Sequence, residues 1–229
     1  MYKELLDIYA ISTEDTSLVE IALTHPSYTQ VHNLEYTECY ERLEFLGDSF
    51  LKLAASEILY KMFPEYTEGN LSKIRSFLVS DNTLAEISLE LGLHKFLRLA
   101  EGEEKSGGRT RTSNNACAFE ALLGAFYLLH KEVELKAFLN KVLTPKISSV
   151  IENFGQLNAK EILQEYTQGI NKTTPIYEVV NITGPDHAHT FEVSVSFNGE
   201  ILAYGSGNTK KTAQINAAYQ ACKKLEIIK

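Results

Sequence analysis

The sequence predicts an all-α domain followed by a small α+β domain of order α-β-β-β-α, with a three-stranded antiparallel sheet carrying two helices on one face. Two observations carry this. Up to residue 151 apolar residues recur at helical spacing, and from residue 176 to residue 207 they alternate as strands do. Between the textures lies ENFGQLN (152–158), so domains are expected over 1–152 and 157–227. Helical patterns cover 16–24, 40–62, 68–79, 81–91, 115–130 and 132–151. Turn-rich stretches such as FPEYTEGN and EGEEKSGGRTRTSNN join them. Ser113 is the expected N-cap before the apolar run from 116, with Asn114 and Asn115 beside it as further caps. AKEILQEYTQG reads as a short amphipathic helix ending at Gly169. IYEVVNI and FEVSVSF alternate as half-buried strands, and Asn198-Gly199 turns the chain into EILAYGSG as a hairpin. In the closing helix Ala213, Ala217, Ala221 and Leu225 recur every fourth residue, a small-residue stripe able to lie close on a sheet.

Composition excludes several classes. The opening MYKELLDIYAISTED places acids where a secretory leader needs bases. The longest apolar run, 116–129, is interrupted by Glu120 and is too short to span a bilayer, so no membrane partner is expected. Cys39, Cys117 and Cys222 are scattered and odd in number, which points to a reducing cytoplasm. The net charge of −8 argues against a protein that coats nucleic acid without discrimination. That charge is local: the first 156 residues carry 15 bases against 23 acids, whereas from residue 157 seven Lys balance seven acids.

The chemistry concentrates in ERLEFLGDSFLKLAA (41–55), an interior-type helix in which Glu41, Glu44 and Asp48 form one acidic column. Glu120 is a second lone acid in an apolar helix. If the two helices pack, the carboxylates need a base, a proton or a metal between them. Pairing with Arg42, Lys52, Lys73 or Arg75 is the structural alternative; convergence of three or four acids favours a hard divalent cation.

ERLEFLGDS resembles the signature of the ribonuclease III family, and its surroundings agree: ALTHPSY (22–28), EGNLSKIRSFLVS (68–80), LRLAEGEEKSGG (97–108) and FEALLGAFYL (119–128). The C-terminal part resembles a double-stranded-RNA-binding domain, with GPDH in its first hairpin loop and TKKTA opening its last helix. The resemblance covers nearly the whole chain and implies an endoribonuclease that cuts double-stranded RNA, leaves 5′-phosphate and 3′-hydroxyl ends, and processes ribosomal and messenger RNA precursors. It places Glu44, Asp48 and Glu120 on Mg²⁺-binding positions, Asp48 and Glu120 as catalytic residues, and Phe45 at a homodimer interface. No small-molecule cofactor beyond the metal is implied. One position departs from the pattern: Cys117 stands where the family usually has Asp, and a thiol is a poor Mg²⁺ ligand, so Mn²⁺ is an alternative metal. Cys117 alone supports a second reading, a catalytically impaired RNA-binding dimer with a structural or regulatory role.

Duplex RNA is recognised by shape, through 2′-hydroxyls and phosphates. Gln164 and Gln168 on the first helix and His187 in the GPDH loop suit successive minor grooves, and Lys210 and Lys211 suit phosphates. Gln214 stands where the family often has a further base, which lowers the expected affinity of this module alone. His187 and His189 lack further ligands for a metal. Arg109 and Arg111 sit in a polar loop, as phosphate contacts or as loop residues only.

Overall fold

The computed structural model describes residues 2–185 and 189–228, excepting the side chains of residues 152–154 and 157. The chain divides into two compact units, Met1–Ser148 and Ser149–Lys229. The first is helical: α1 (Lys3–Tyr9), α2 (Ser17–Ala22), α3 (Pro26–His32), α4 (Glu41–Met62), α5 (Glu68–Leu78), α6 (Asp81–Glu90), α7 (Glu101–Lys105), α8 (Thr112–Leu128) and α9 (Glu132–Leu157), the last ending beyond the unit boundary. The helical patterns read from spacing all form. α1, α3 and α7 were not expected, because five to seven residues are too few for a 3.6-residue period to show. Tertiary contacts hold α1, whose Leu5 and Tyr9 are fully buried. Local chemistry starts α3: Pro26 fits its first turn, and the His25 ring accepts the Ser27 N–H at 3.0 Å.

α8 is the centre of this unit. Its Phe119, Leu122, Leu123 and Phe126 are wholly buried, and apolar residues cover most of its circumference because neighbours pack on several sides. Each such side chain stabilises the fold by about 1.5–3 kcal/mol. α4 contributes Leu43, Leu51, Ala54 and Ala55 to the same core. The two backbones nearly touch: a Cβ on Gly47 would lie 1.7 Å from the carbonyl oxygen of Glu120, and one on Gly124 would lie 2.1 Å from that of Leu43. Only glycine at both positions permits this approach.

Three boundaries differ from expectation. Ser113 is not the N-cap of α8, which begins at Thr112 with Arg111 in the cap position. Asn114 and Asn115 do not cap either; their side-chain amides donate to the carbonyls of Gly108 and of Arg109 and Arg111, all at 3.0 Å, so the preceding loop is held from inside the helix. α9 does not stop at residue 151, because nothing in ENFGQL breaks a helix before Asn158. Finally, Gly169 does not end its helix. A Cβ there would meet open space, and Lys172 takes the left-handed position instead, at φ 60°.

In the second unit α10 (Ala159–Asn171) precedes β1 (Ile176–Thr183), β2 (Thr190–Phe197), β3 (Glu200–Gly207) and α11 (Lys210–Lys224). The antiparallel sheet has order β1-β2-β3. Asn198 and Gly199 adopt φ 53° and 81°, the double left-handed turn that matches strand twist. Val193 pairs with Val179 and Gly205, and Val195 with Tyr177 and Ala203. Both valines are buried with Leu163 of α10 and with Ala213, Ala217 and Ala221 of α11. The small-residue stripe therefore lies on the sheet; a Cβ on Gly205 would come within 2.0 Å of the Ala217 nitrogen.

Candidate active site

The Gly47–Gly124 approach sets Glu44 and Asp48 of α4 opposite Glu120 of α8, because each acid stands within one turn of a contact glycine. Glu120 shows the consequence. Burial, then the charges of Asp48, Glu44 and Asp81, raise its pKa to about 8, against a smaller opposing effect of Lys52. Glu44, also partly buried, is raised by burial first, opposed by a hydrogen bond from Cys117 and reinforced by Glu41, Asp81 and Asp48. Burial and the neighbouring Glu44 push the Cys117 thiol up to about 12, so it is a neutral donor to Glu44 rather than a thiolate.

The acidic column read on α4 is divided by the structure. Glu41 turns to a local partner, accepting from Cys39 Sγ at 3.7 Å, and lines an apolar cleft. Asp48 accepts from Lys52 Nζ at 2.7 Å. Of the other bases considered as structural partners, Arg75 donates to Ser56 Oγ at 2.8 Å and Arg42 is exposed. Among the described residues no three His, Cys, Asp or Glu side chains converge closely enough to hold an ion in this arrangement, in which Lys52 engages Asp48.

Two residues were missed by sequence reading. Asp81, the first residue of α6, acts electrostatically on Glu44, Cys117 and Glu120 together. Nothing in VSDNTLAEIS marks it, since an acid in a first turn is ordinary there. Lys160 of α10 donates to Gln214 Oε1 at 2.8 Å and stands 4.7 Å from the Tyr177 ring centre. The phosphate-contact reading of Arg109 and Arg111 is corrected. Arg109 donates to the carbonyls of His94 and Leu97, at 2.7 and 3.0 Å, and pairs with Glu104; Arg111 pairs with Glu103. Both guanidiniums close their own loop.

In the second unit, the Lys160–Gln214 bond joins α10 to α11. Gln164 and Gln168 continue at four-residue spacing from Lys160 and are exposed; Lys210 stands one turn before Gln214 with Lys211 beside it, both exposed at the start of α11. His187 lies outside the described residues. On the first unit Phe45 is 77% exposed, at the edge of a cleft of about 800 Å³ lined by Leu18, Ile21, Leu43, Leu46 and Leu128.

Comparison with known proteins decides the family. The ribonuclease-III-like family matches residues 15–147, and the double-stranded RNA binding motif matches residues 159–225. Ribonuclease 3 of Streptococcus uberis is 44% identical over 95% of this chain and 94% of its own. The chain belongs to the ribonuclease III family. Ribonuclease 3 of Enterococcus faecalis, another member, is 40% identical over 97% of this chain and 96% of its own. Among solved ribonuclease III structures, the Campylobacter jejuni nuclease domain superposes with TM-score 0.58 at 32% identity, covering 62% of this chain and 96% of that one. Dicer from Pichia stipitis superposes with TM-score 0.50 at 29% identity, covering 93% of this chain and 96% of that one. The ribonuclease III membership and the double-stranded RNA binding motif make this chain an enzyme with an RNA-binding module. No helix among the described residues is long and apolar enough to cross a membrane.

The raised Glu120 pKa makes a prediction about the ion-free protein. Glu120 is raised in the folded state, so the fold retains a proton that the unfolded chain releases near pH 4.5. Stability from this group is present below that pH and is lost as pH rises through about 8. In EDTA, Glu120→Gln should therefore raise the melting temperature relative to wild type more at pH 8.5 than at pH 5. An equal difference at both pH values counts against the assignment.

Proposed function

We propose that this chain hydrolyses double-stranded RNA endonucleolytically with a divalent ion, Mg²⁺ or in its place Mn²⁺, leaving 5′-phosphate and 3′-hydroxyl ends. One observation carries the reading: the Gly47–Gly124 contact sets Glu44 and Asp48 of α4 opposite Glu120 of α8, where burial, then the charges of Asp48, Glu44 and Asp81, raise the Glu120 pKa to about 8 against a smaller effect of Lys52. The donor set fits a hard dication, being three carboxylates with a neutral thiol at the fourth position. Glu44, Asp48 and Glu120 would hold it, Asp48 after parting from Lys52 and Glu120 after releasing its proton. The bound ion would supply the charge that lowers the pKa of the attacking water and stabilises the leaving oxygen. Asp48 and Glu120 are the proposed catalytic residues. Gln164, Gln168, Lys210 and Lys211, with His187, are proposed to grip the duplex, and Lys160 adds a cation beside Gln214. Processing of ribosomal and messenger RNA precursors in the cytoplasm belongs to the same proposal.

The test is cleavage of long duplex RNA by the full chain in Mg²⁺, in Mn²⁺ and in EDTA, with single-stranded RNA as control and the product ends sequenced. Ion-dependent cutting of the duplex alone is expected. Equal cutting in EDTA overturns the metal reading. Duplex binding without cutting in either ion establishes instead the second reading, an RNA-binding dimer impaired at Cys117.

Assembly follows from Phe45. A ring left in water beside an apolar cleft on the same molecule is self-complementary, so a second copy can bury both rings across a two-fold axis. The Campylobacter jejuni structure is itself described as showing flexibility in a region involved in dimer formation. Phe45→Glu should give monomers, since a buried unpaired carboxylate costs several kcal/mol. Sedimentation equilibrium checks this; a variant that remains dimeric, or a monomeric wild type, contradicts it.

A further inference from the structure

α10 and α11 meet through a side-chain bond in which Lys160 Nζ donates to Gln214 Oε1 at 2.8 Å. The same ammonium stands 4.7 Å from the centre of the Tyr177 ring on β1. Both partners are neutral, and a Gln carbonyl and a ring face orient a cation without cancelling its charge. Cations of the first unit are placed otherwise: Lys52 faces Asp48, Lys61 and Lys136 share Glu57, and Lys146 faces Glu86 and Glu90. Among the described residues no carboxylate pairs with Lys160. Two rows of side chains set the position of this charge. Along α10, Lys160, Gln164 and Gln168 follow one another at four-residue spacing, and both glutamines are exposed. Along α11, Gln214 stands one turn beyond Lys210, with Lys211 beside that lysine. The Lys160 ammonium lies where the rows meet. Position 214 itself is neutral, where the family resemblance calls for a further base.

We infer that Lys160, reaching across from α10, supplies beside Gln214 a phosphate contact that α11 itself lacks there. The partner is the backbone of duplex RNA, so the inference rests on the duplex-gripping reading above. Duplex RNA shows 2′-hydroxyls in a shallow minor groove bordered by phosphates, and a polar row that ends in a cation suits it. The competing account makes Lys160 a brace that holds α10 against Tyr177 and Gln214. A brace changes the stability of the free protein. It leaves the salt dependence of RNA binding alone, since that dependence counts the cations that displace counter-ions from phosphate.

The test measures binding of the full chain to a short mixed-sequence RNA duplex in EDTA, by fluorescence anisotropy over a range of KCl concentrations. A single strand of the same length is the control, and the melting temperature of each free protein is followed alongside. Lys160→Gln keeps a donor for Gln214 and removes the charge. It should weaken binding about fivefold at low salt and lower the slope of log affinity against log salt by about one. Lys160→Arg should keep the wild-type slope. Exchanging the pair, Lys160→Gln with Gln214→Lys, should restore that slope, because the ammonium returns to the same place from the other helix. A wild-type slope in Lys160→Gln overturns the inference, whether or not affinity or stability falls. So does an exchanged pair that keeps the lowered slope. If wild type binds the duplex no better than the single strand, the duplex-gripping reading itself falls and takes the inference with it.

Discussion

Glu120→Gln and Asp48→Asn are each expected to abolish ion-dependent cleavage of duplex RNA while leaving duplex binding nearly unchanged. Each replacement keeps the side-chain volume and removes one anionic oxygen from a site where three carboxylates share the load. Disturbing a residue one step removed from a metal typically costs about 10–100-fold in affinity or activity, so a direct ligand should cost more. Binding is spared because the RNA-gripping residues proposed here belong to the second unit. The two variants differ in a useful way. Asp48→Asn also releases Lys52, whereas Glu120→Gln removes the proton that must otherwise leave near pH 8. Single-turnover cleavage with a parallel gel-shift titration measures both quantities. Wild-type cleavage by either variant would remove the basis for placing the chemistry between α4 and α8.

Gly47→Ala should have the largest effect on the fold. Its Cβ would stand 1.7 Å from the carbonyl oxygen of Glu120 and 2.9 Å from the Gly124 nitrogen. The clash is with backbone, so no side-chain rotation relieves it, and α4 must separate from α8. Overpacking in a core costs about 1–3 kcal/mol and occasionally more, and this substitution belongs at the upper end. Because Glu44 and Asp48 move with α4 while Glu120 stays on α8, cleavage should fall together with stability. Urea unfolding of the variant provides the measurement. A loss below about 1 kcal/mol, inside the ordinary range for point substitutions, would mean that the two backbones are not in contact at Gly47.

The parts legible in the sequence share one physical property: their signals are local. The Asn198-Gly199 hairpin is set by two residues that tolerate positive φ, and α4, α8 and α11 show themselves by apolar or small-residue spacing over many turns. What escaped was short or depended on a distant partner. α1 is too brief to display a period and exists because Leu5 and Tyr9 find the core. Arg109 and Arg111 have the composition of a phosphate-binding loop, yet Glu103, Glu104 and two backbone carbonyls lie within their reach. Gly169 resembled a helix end because glycine is common there, but Lys172 adopts the left-handed turn.

By itself the sequence determined the two-part order and the acidic column of Glu41, Glu44 and Asp48 with Glu120 as a second lone acid, because residue identity and spacing show them. Its resemblance to the ribonuclease III family, not spacing, singled out Glu44, Asp48 and Glu120 and marked position 117 as lacking the usual carboxylate. Only the tertiary structure decided how the acids meet. The contact of Gly47 with the Glu120 backbone joins residues 73 positions apart, and no periodicity along either helix encodes it. The same holds for Lys52 as the cation beside Asp48 and for the upward shift of the Glu120 pKa, to which burial contributes most. Charges interact through space, and their energies depend on burial and separation, quantities that exist only once the helices have packed.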